Sequence, residues 1–382
     1  MVTAWNEIIT TVTQIRHELH SHPELTWQER RTAERIRNAL DAAEIPWRAC
    51  AGTGTVGHLG ANATGRHAAL RGDIDALPVS EATQDPWRSQ VSGCMHACGH
   101  DGHTAALLGA ALWLKRREAR LPGPVSLLFQ PAEEGGHGAR EMIADGALDG
   151  VDVVFGWHNW PAIPFGQAAC PTGTVMAGNG TFEIELQGRG GHASQPELCR
   201  DPVLAASAIT LALQQVVARR LPPQEATVIS VTSIDAASAP TVIRDAVTLA
   251  GSIRIADIAR RETVCALITE VATATAAAYG VEARVAHADR YQPTVNHAAP
   301  AAEMRAALER ELGSNWQAES AMPIMASEDF SYYLNAVPGA FALIGGGAAQ
   351  HEEPCHSPRY RFNDALLPRV IRVYADLVGL GV

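Results

Sequence analysis

Six pieces of sequence between Gly178 and Tyr291 decide the fold: TFEIELQG (181–188), DPVLAASAITLALQQVVARR (201–220), ATVISVTSI (226–234), VTLAGSIRI (247–255), IARRETVCALITEVATATAAAYG (258–280) and VEARVAHAD (281–289). The first alternates apolar and polar residues, as a strand with one buried face does. The second and fifth carry apolar residues at helical spacing, the fifth closed by Gly280, and the other three are strand-like. The order β-α-β-β-α-β predicts a ferredoxin-like split unit, a four-stranded antiparallel sheet with both helices on one face.

On either side of this segment the pattern differs. Helical spacing runs through 3–20 and 27–44, followed by short apolar runs GTVGHLG (54–60) and HAALRGDI (67–74). Next come a helix predicted from Thr104 to Arg117 and strands at 124–130 and 152–157, and residues 292–382 return to the same alternation. Buried strands alternating with amphipathic helices predict an α/β domain with a largely parallel, helix-flanked sheet. The expected organisation is therefore a first domain of 1–177 and 292–382, interrupted by an α+β domain of 178–291.

Composition narrows the partners. A formal charge of −11 and a pI near 5.7 argue against nucleic acid or an anionic membrane as the main partner. No stretch reads as long and apolar enough to span a bilayer, and MVTAWNEIITTVTQIRHELH lacks the form of a secretory signal. Seven scattered cysteines, an odd number, read as reduced thiols. The expected compartment is the cytoplasm.

The chemistry concentrates at predicted strand ends. MHACGHDGH (95–103) places Cys98, His100, Asp101 and His103 just before a helix, and thiolate with imidazole is a common ligand set for zinc and related ions. Pro-Ala-Glu-Glu-Gly-Gly (131–136) follows a buried strand, so one of Glu133 and Glu134 can face metal while the other faces substrate. His158 follows VDVVFGW, and His356 follows the strand-like FALIGGG. Each histidine alone reads as structural; five ligand-type residues at the carboxyl ends of strands read as a site.

Seven motifs also carry a family resemblance: RHELHSHPEL (16–25), LRGDIDALP (70–78), HACGHDGHTAALLGAA (96–111), FQPAEEGGHGAREMI (129–143), GRGGHAS (188–194), SEDFSYYL (327–334) and HSPRYRFND (356–364). Together they resemble the amidohydrolase branch of the aminoacylase/carboxypeptidase metallopeptidases, which includes hippurate hydrolases, N-acetyl amino acid deacetylases and plant auxin-conjugate hydrolases. The resemblance implies a dinuclear-metal catalytic domain with an inserted lid, and hydrolysis of the amide bond of N-acyl-L-amino acids. It implies Cys98, His100, Glu134, His158 and His356 as ligands of two divalent ions, zinc or manganese, with cobalt and nickel also compatible. Glu133 falls on the general base and Asp75 on an orienting group beside the metals.

His192 matches a lid histidine that reaches the scissile carbonyl; in dimeric relatives it comes from the neighbouring subunit, which raises a homodimer through the inserted domain. Arg254 would fork to the substrate carboxylate. Two departures stand out. Thr241-Val242-Ile243-Arg244-Asp245 replaces the usual Asn-Val-Ile-Pro-Asp, removing an amide that contacts the carboxylate, and Cys355 precedes the ligand candidate His356. A dipeptidase or carboxypeptidase of the same clan is the alternative. A non-enzymatic binding protein would not need the general base Glu133.

Overall fold

The computed structural model describes residues 2–348 and 351–381. The chain divides into two compact units, Met1–Val175 with Val295–Ala321 and Asp329–Val382, and Met176–Thr294 with Met322–Glu328. The short 322–328 segment thus groups with the smaller unit, whereas the sequence reading left it in the first domain.

In the larger unit, helix α1 (Val2–Ser21) buries Ile8, Val12, Ile15 and Leu19. That stripe, spaced by three and four residues, holds the helix against the core. Helix α2 (Arg30–Ala42) follows, then strands β1 (Trp47–Cys50), β2 (Gly54–Leu59) and β3 (Ala68–Asp73). After helix α3 (His100–Lys115) come β4 (Val125–Gln130), helix α4 (Gly138–Ala144), β5 (Val153–Pro164) and β6 (Ala168–Ala169). The sheet order is β1-β2-β4-β3-β5, then the strand Gly339–Gly347, then β6.

The inner neighbours β4, β3, β5 and Gly339–Gly347 run parallel, while β1, β2 and β6 pair antiparallel at the edges. Every residue of β3 and β4 is buried, as expected of strands covered on both faces. Asp73 and Gln130 lie at the carboxyl ends of these two strands, in register with each other.

Two local expectations are corrected. Helix α3 begins at His100 rather than Thr104, because Gly99 turns the chain in the left-handed region (φ 93°) just before it. A Cβ at Gly99 would come within 2.4 Å of Asn159 Oδ1 and 2.5 Å of the Tyr360 hydroxyl, so only glycine fits. His158 does not follow β5 but lies inside it, beside Leu343 of the neighbouring parallel strand.

The smaller unit has four antiparallel strands ordered Thr227–Asp235, Ala246–Ile255, Gly178–Gln187, Glu282–Asp289. This is the ferredoxin-like arrangement. Phe182, Ile184, Leu249 and Ile253 form one core with Ile209 and Leu213 of helix Pro202–Gln215 and with Val264 and Ile268 of helix Arg261–Ala278. Phe182 lies over Gly251, where a Cβ would come within 2.1 Å of the ring. Contrary to the sequence reading, one helix, Pro202–Arg220, is long and apolar enough to cross a membrane by composition. Ala205, Ala206, Ile209, Leu213 and Val216 build one face of it into the smaller unit's core, while Leu204 and Leu211 are exposed.

Candidate metal centre

The turn after β4 carries the two adjacent glutamates, and the turn is strained. Ala132 (φ 54°) and His137 (φ 59°) both occupy the left-handed region without being glycine. Buried carboxylates hold it. Glu29 accepts from the Ala132 amide at 2.9 Å, while Asp75 accepts from the amides of Glu133 (3.1 Å) and Glu134 (3.0 Å) and from Thr26 Oγ1 (2.9 Å). Asp75 therefore sets the direction of both glutamates. Glu133 is buried, and its Oε1 accepts from the Asp329 amide at 3.3 Å.

The expected ligands converge in the larger unit. Cys98 Sγ lies 3.3 Å from His158 Nε2, His356 Nε2 lies 3.3 Å from Glu134 Oε1, and His100 Nε2 lies 3.9 Å from the same oxygen. Three groups, Cys98–His100–His158, Cys98–Glu134–His356 and His100–Glu133–Glu134, each have donor atoms within 4.8 Å of one another. His356 is itself left-handed (φ 70°), and its amide donates to the Ala97 carbonyl at 2.7 Å.

Hydrogen bonding identifies the bare nitrogens. His100 Nδ1 sits 2.9 Å from the Asp75 carbonyl and His158 Nδ1 2.6 Å from the Asn159 carbonyl. A carbonyl only accepts, so each Nδ1 carries a proton and each Nε2 is the nitrogen left to face a metal. His100 Nε2 and Glu134 Oε1 are buried without a hydrogen-bond partner. Such atoms are costly to bury unless something binds them, and a histidine fixed by a carbonyl on its far nitrogen is the usual form of a metal ligand. These residues fit a divalent metal pair.

The electrostatics agree. Burial works against a charged His100, yet Asp73, Asp75 and Glu134 lift it to about 10. Carboxylates that hold a proton so firmly also favour a cation at that point. Burial and the neighbouring His103 push His158 well below its ordinary value, leaving it neutral. A hydrogen bond with Cys355, with burial next, raises the Cys98 thiol.

Of the network behind these donors, only His103 was named from sequence. Asp73, fully buried, accepts from Arg71 (2.6 Å) and from His103 (2.6 Å). His103 Nε2 in turn lies 2.6 Å from Asn159 Oδ1. With both nitrogens engaged, His103 supports the site, in contrast to His100. Arg71 also donates to Gln130 (2.8 Å) and Asp329 (3.2 Å). The available signal was LRGDID itself: Arg and Asp inside a run otherwise suited to a central strand.

The remaining expected residues lie in the smaller unit. His192 is exposed, with Nδ1 2.7 Å from Ser194 Oγ, and its strand pairs with Val242. The carbonyl of exposed Thr241 accepts from the Ala193 amide at 2.9 Å. Arg254 is half-buried and donates to Ser327 Oγ at 2.9 Å.

Comparison with known proteins adds to this geometry. The sequence pattern described as peptidase family M20/M25/M40 matches residues 69–379. An N-acetyl-L-cysteine deacetylase of Bacillus subtilis is 38% identical over 354 residues, covering 92% of this chain and 84% of the relative. A hippurate hydrolase of Campylobacter jejuni is 35% identical, covering 95% and 94%. The crystal structure of the Bacillus subtilis YXEP protein, described as a dinuclear metal binding peptidase, matches with a TM-score of 0.84 at 33% identity, covering 98% of both chains.

Proposed function

The chain belongs to peptidase family M20/M25/M40, and on that footing we propose that it is a metal-dependent amidohydrolase that cleaves N-acyl-L-amino acids to a carboxylic acid and a free amino acid. The observation that carries this reading is the buried Glu133 beside three donor clusters, two of whose atoms, His100 Nε2 and Glu134 Oε1, lack any hydrogen-bond partner. The similar deacetylase and hippurate hydrolase support the substrate class.

Cys98, His100, Glu134, His158 and His356 would hold two divalent ions, zinc or manganese, with cobalt and nickel compatible with the same donors. Bound there, such ions supply Lewis acidity and bring the pKa of water towards neutrality. Glu133 takes the proton from the attacking water and delivers it to the amide nitrogen as the C–N bond breaks. Asp75 keeps Glu133 aimed by accepting from its amide.

His192 is assigned to the developing oxyanion and Arg254 to the substrate carboxylate, with Thr241 at the position where relatives carry Asn. Seven free thiols favour a reducing compartment, the cytoplasm. Exposed Leu204 and Leu211 on helix Pro202–Gln215 support a homodimer through the smaller unit. The deciding experiment is a deacylation screen of N-acetyl and N-benzoyl amino acids on metal-stripped protein, with each ion restored in turn. Turnover that needs no added ion, or that is confined to dipeptides with a free amino terminus, would overturn the proposal.

A further inference from the structure

Cys355 has no part in the chemistry above, yet the fold brings it against a proposed ligand. The bond from the His356 amide to the Ala97 carbonyl (2.7 Å) pins the 354–357 loop to the loop that carries Cys98. Cys355 Sγ consequently lies 4.0 Å from the Cys98 carbonyl and 3.8 Å from Asn159 Nδ2, and its nearness is the first cause that holds the Cys98 thiol above its ordinary value. Cys98 is buried while Cys355 is partly exposed, so an oxidant in solution reaches Cys355 first. Both residues lie in loops, outside helix and strand. A disulfide of ~2.05 Å between them would therefore break no ladder of backbone hydrogen bonds.

We propose that Cys98 and Cys355 are a peroxide-sensitive thiol pair whose oxidation to a disulfide withdraws Cys98 from the metal centre. Hydrogen peroxide is the oxidant. The Cys355 sulfur attacks the O–O bond, an S–O bond forms, and one water leaves. The Cys98 sulfur then attacks the Cys355 sulfenic acid; the S–S bond forms as the S–O bond breaks, releasing a second water. Two electrons pass from the thiols to the peroxide. A dithiol reductant reverses the change. The inference rests on the reading of Cys98 as a ligand, because only then does the disulfide cost the site a donor.

The test treats the metal-loaded full chain with hydrogen peroxide, then measures free thiols, intact mass, cross-linked peptides under non-reducing conditions, and bound metal after desalting. The expected result is the loss of two of the seven thiols, a mass lower by two hydrogens, a Cys98–Cys355 peptide pair, and released metal. Dithiothreitol should restore all four readouts. Cys355→Ser, with Cys355→Ala as a second variant should the first fold poorly, should load the same amount of metal and show no thiol-reversible release. A cross-link between other cysteines, or reversible release from both Cys355 variants, overturns the proposal. No cross-link in a chain whose Cys98→Ser variant loses metal overturns the thiol pair alone. A Cys98–Cys355 cross-link with metal content unchanged overturns the thiol switch and the reading of Cys98 as a ligand together.

Discussion

In the smaller unit, strand Gly178–Gln187 sends Phe182, Ile184 and Leu186 inward and Glu183 and Glu185 outward. In the larger unit, β3 buries Arg71 and Asp73 alongside Leu70. The contrast extends beyond these strands. Among the described residues of the smaller unit, Glu328 is the one buried charged side chain, whereas the larger unit buries Arg16, Glu29, Arg71, Asp73, Asp75, Asp101, Glu133 and Asp329. A buried charge costs several kcal/mol unless it is paired and hydrogen-bonded. Nearly all of these are held by partners at 2.6–3.3 Å, such as Arg71 with Asp73 and Asp75 with the Glu133 amide. The smaller unit has an apolar core built on Phe182, Ile184, Leu249 and Ile253. The larger unit accepts an expensive interior at the carboxyl ends of its parallel strands, and chemistry is what that interior can provide.

Five experiments would break or sharpen this contrast. The largest effect is expected of Glu133→Gln: kcat should fall by about 10²–10⁴ while metal content and melting temperature stay near those of the parent. A variant with near-parental kcat would move the base elsewhere, Asp75 being the next candidate.

The two interiors should fail differently. Asp73→Ala leaves Arg71 and His103 short of a buried partner and should cost about 3–5 kcal/mol in urea unfolding, with loss of metal. Phe182→Ala should cost a similar ~3–5 kcal/mol through the cavity over Gly251, with metal content of the folded protein unchanged. An Asp73→Ala variant as stable and as metal-rich as the parent would mean that the buried charges are not coupled to the site.

The smaller unit's share in catalysis is open to the same treatment. His192→Ala should lower kcat by about 10²–10³ if it meets the oxyanion. Arg254→Ala should chiefly raise KM, because it would contact the carboxylate in ground and transition states alike. Parental kinetics in both variants would leave that unit without a catalytic role.

A pH experiment isolates paired charge away from the ligands. Burial opposes a charged His20, but Asp101 and Glu81 outweigh it and raise the ring from 6.5 to about 9. The folded pKa lies above the unfolded one, so the stabilisation is fully present below pH 6.5 and is lost as pH rises through about 9. Unfolding free energy should therefore fall by about 3 kcal/mol across that window. His20→Gln should flatten the dependence, and an equal slope in that variant would assign it to other groups.

The smallest effect belongs to Asp75→Asn, which keeps the size of the side chain but replaces one acceptor oxygen serving the Glu133 and Glu134 amides. Metal affinity or kcat/KM should drop about 10–100-fold, as for other groups that orient ligands. No change in either would leave the strained turn to Glu29 alone.

The sequence by itself determined the period of each element. Alternation in TFEIELQG and helical spacing in DPVLAASAITLALQQVVARR each depend on one side chain facing in or out, so the βαββαβ order was legible. That Cys98, His100, Glu133, Glu134, His158 and His356 form one candidate cluster was legible too, because ligand-type residues beside strand ends and matching family motifs are local features. The tertiary structure alone decided which donors are bare. His100 and His103 are three residues apart on one helix, and nothing local separates them. Asn159 and Asp73, from two different strands, occupy both nitrogens of His103, while the Asp75 carbonyl takes only one of His100. A hydrogen bond is satisfied at about 3 Å in space, whatever the distance along the chain. The difference between a histidine with both nitrogens engaged and one with a bare nitrogen therefore exists only once β3, α3 and β5 have been packed together.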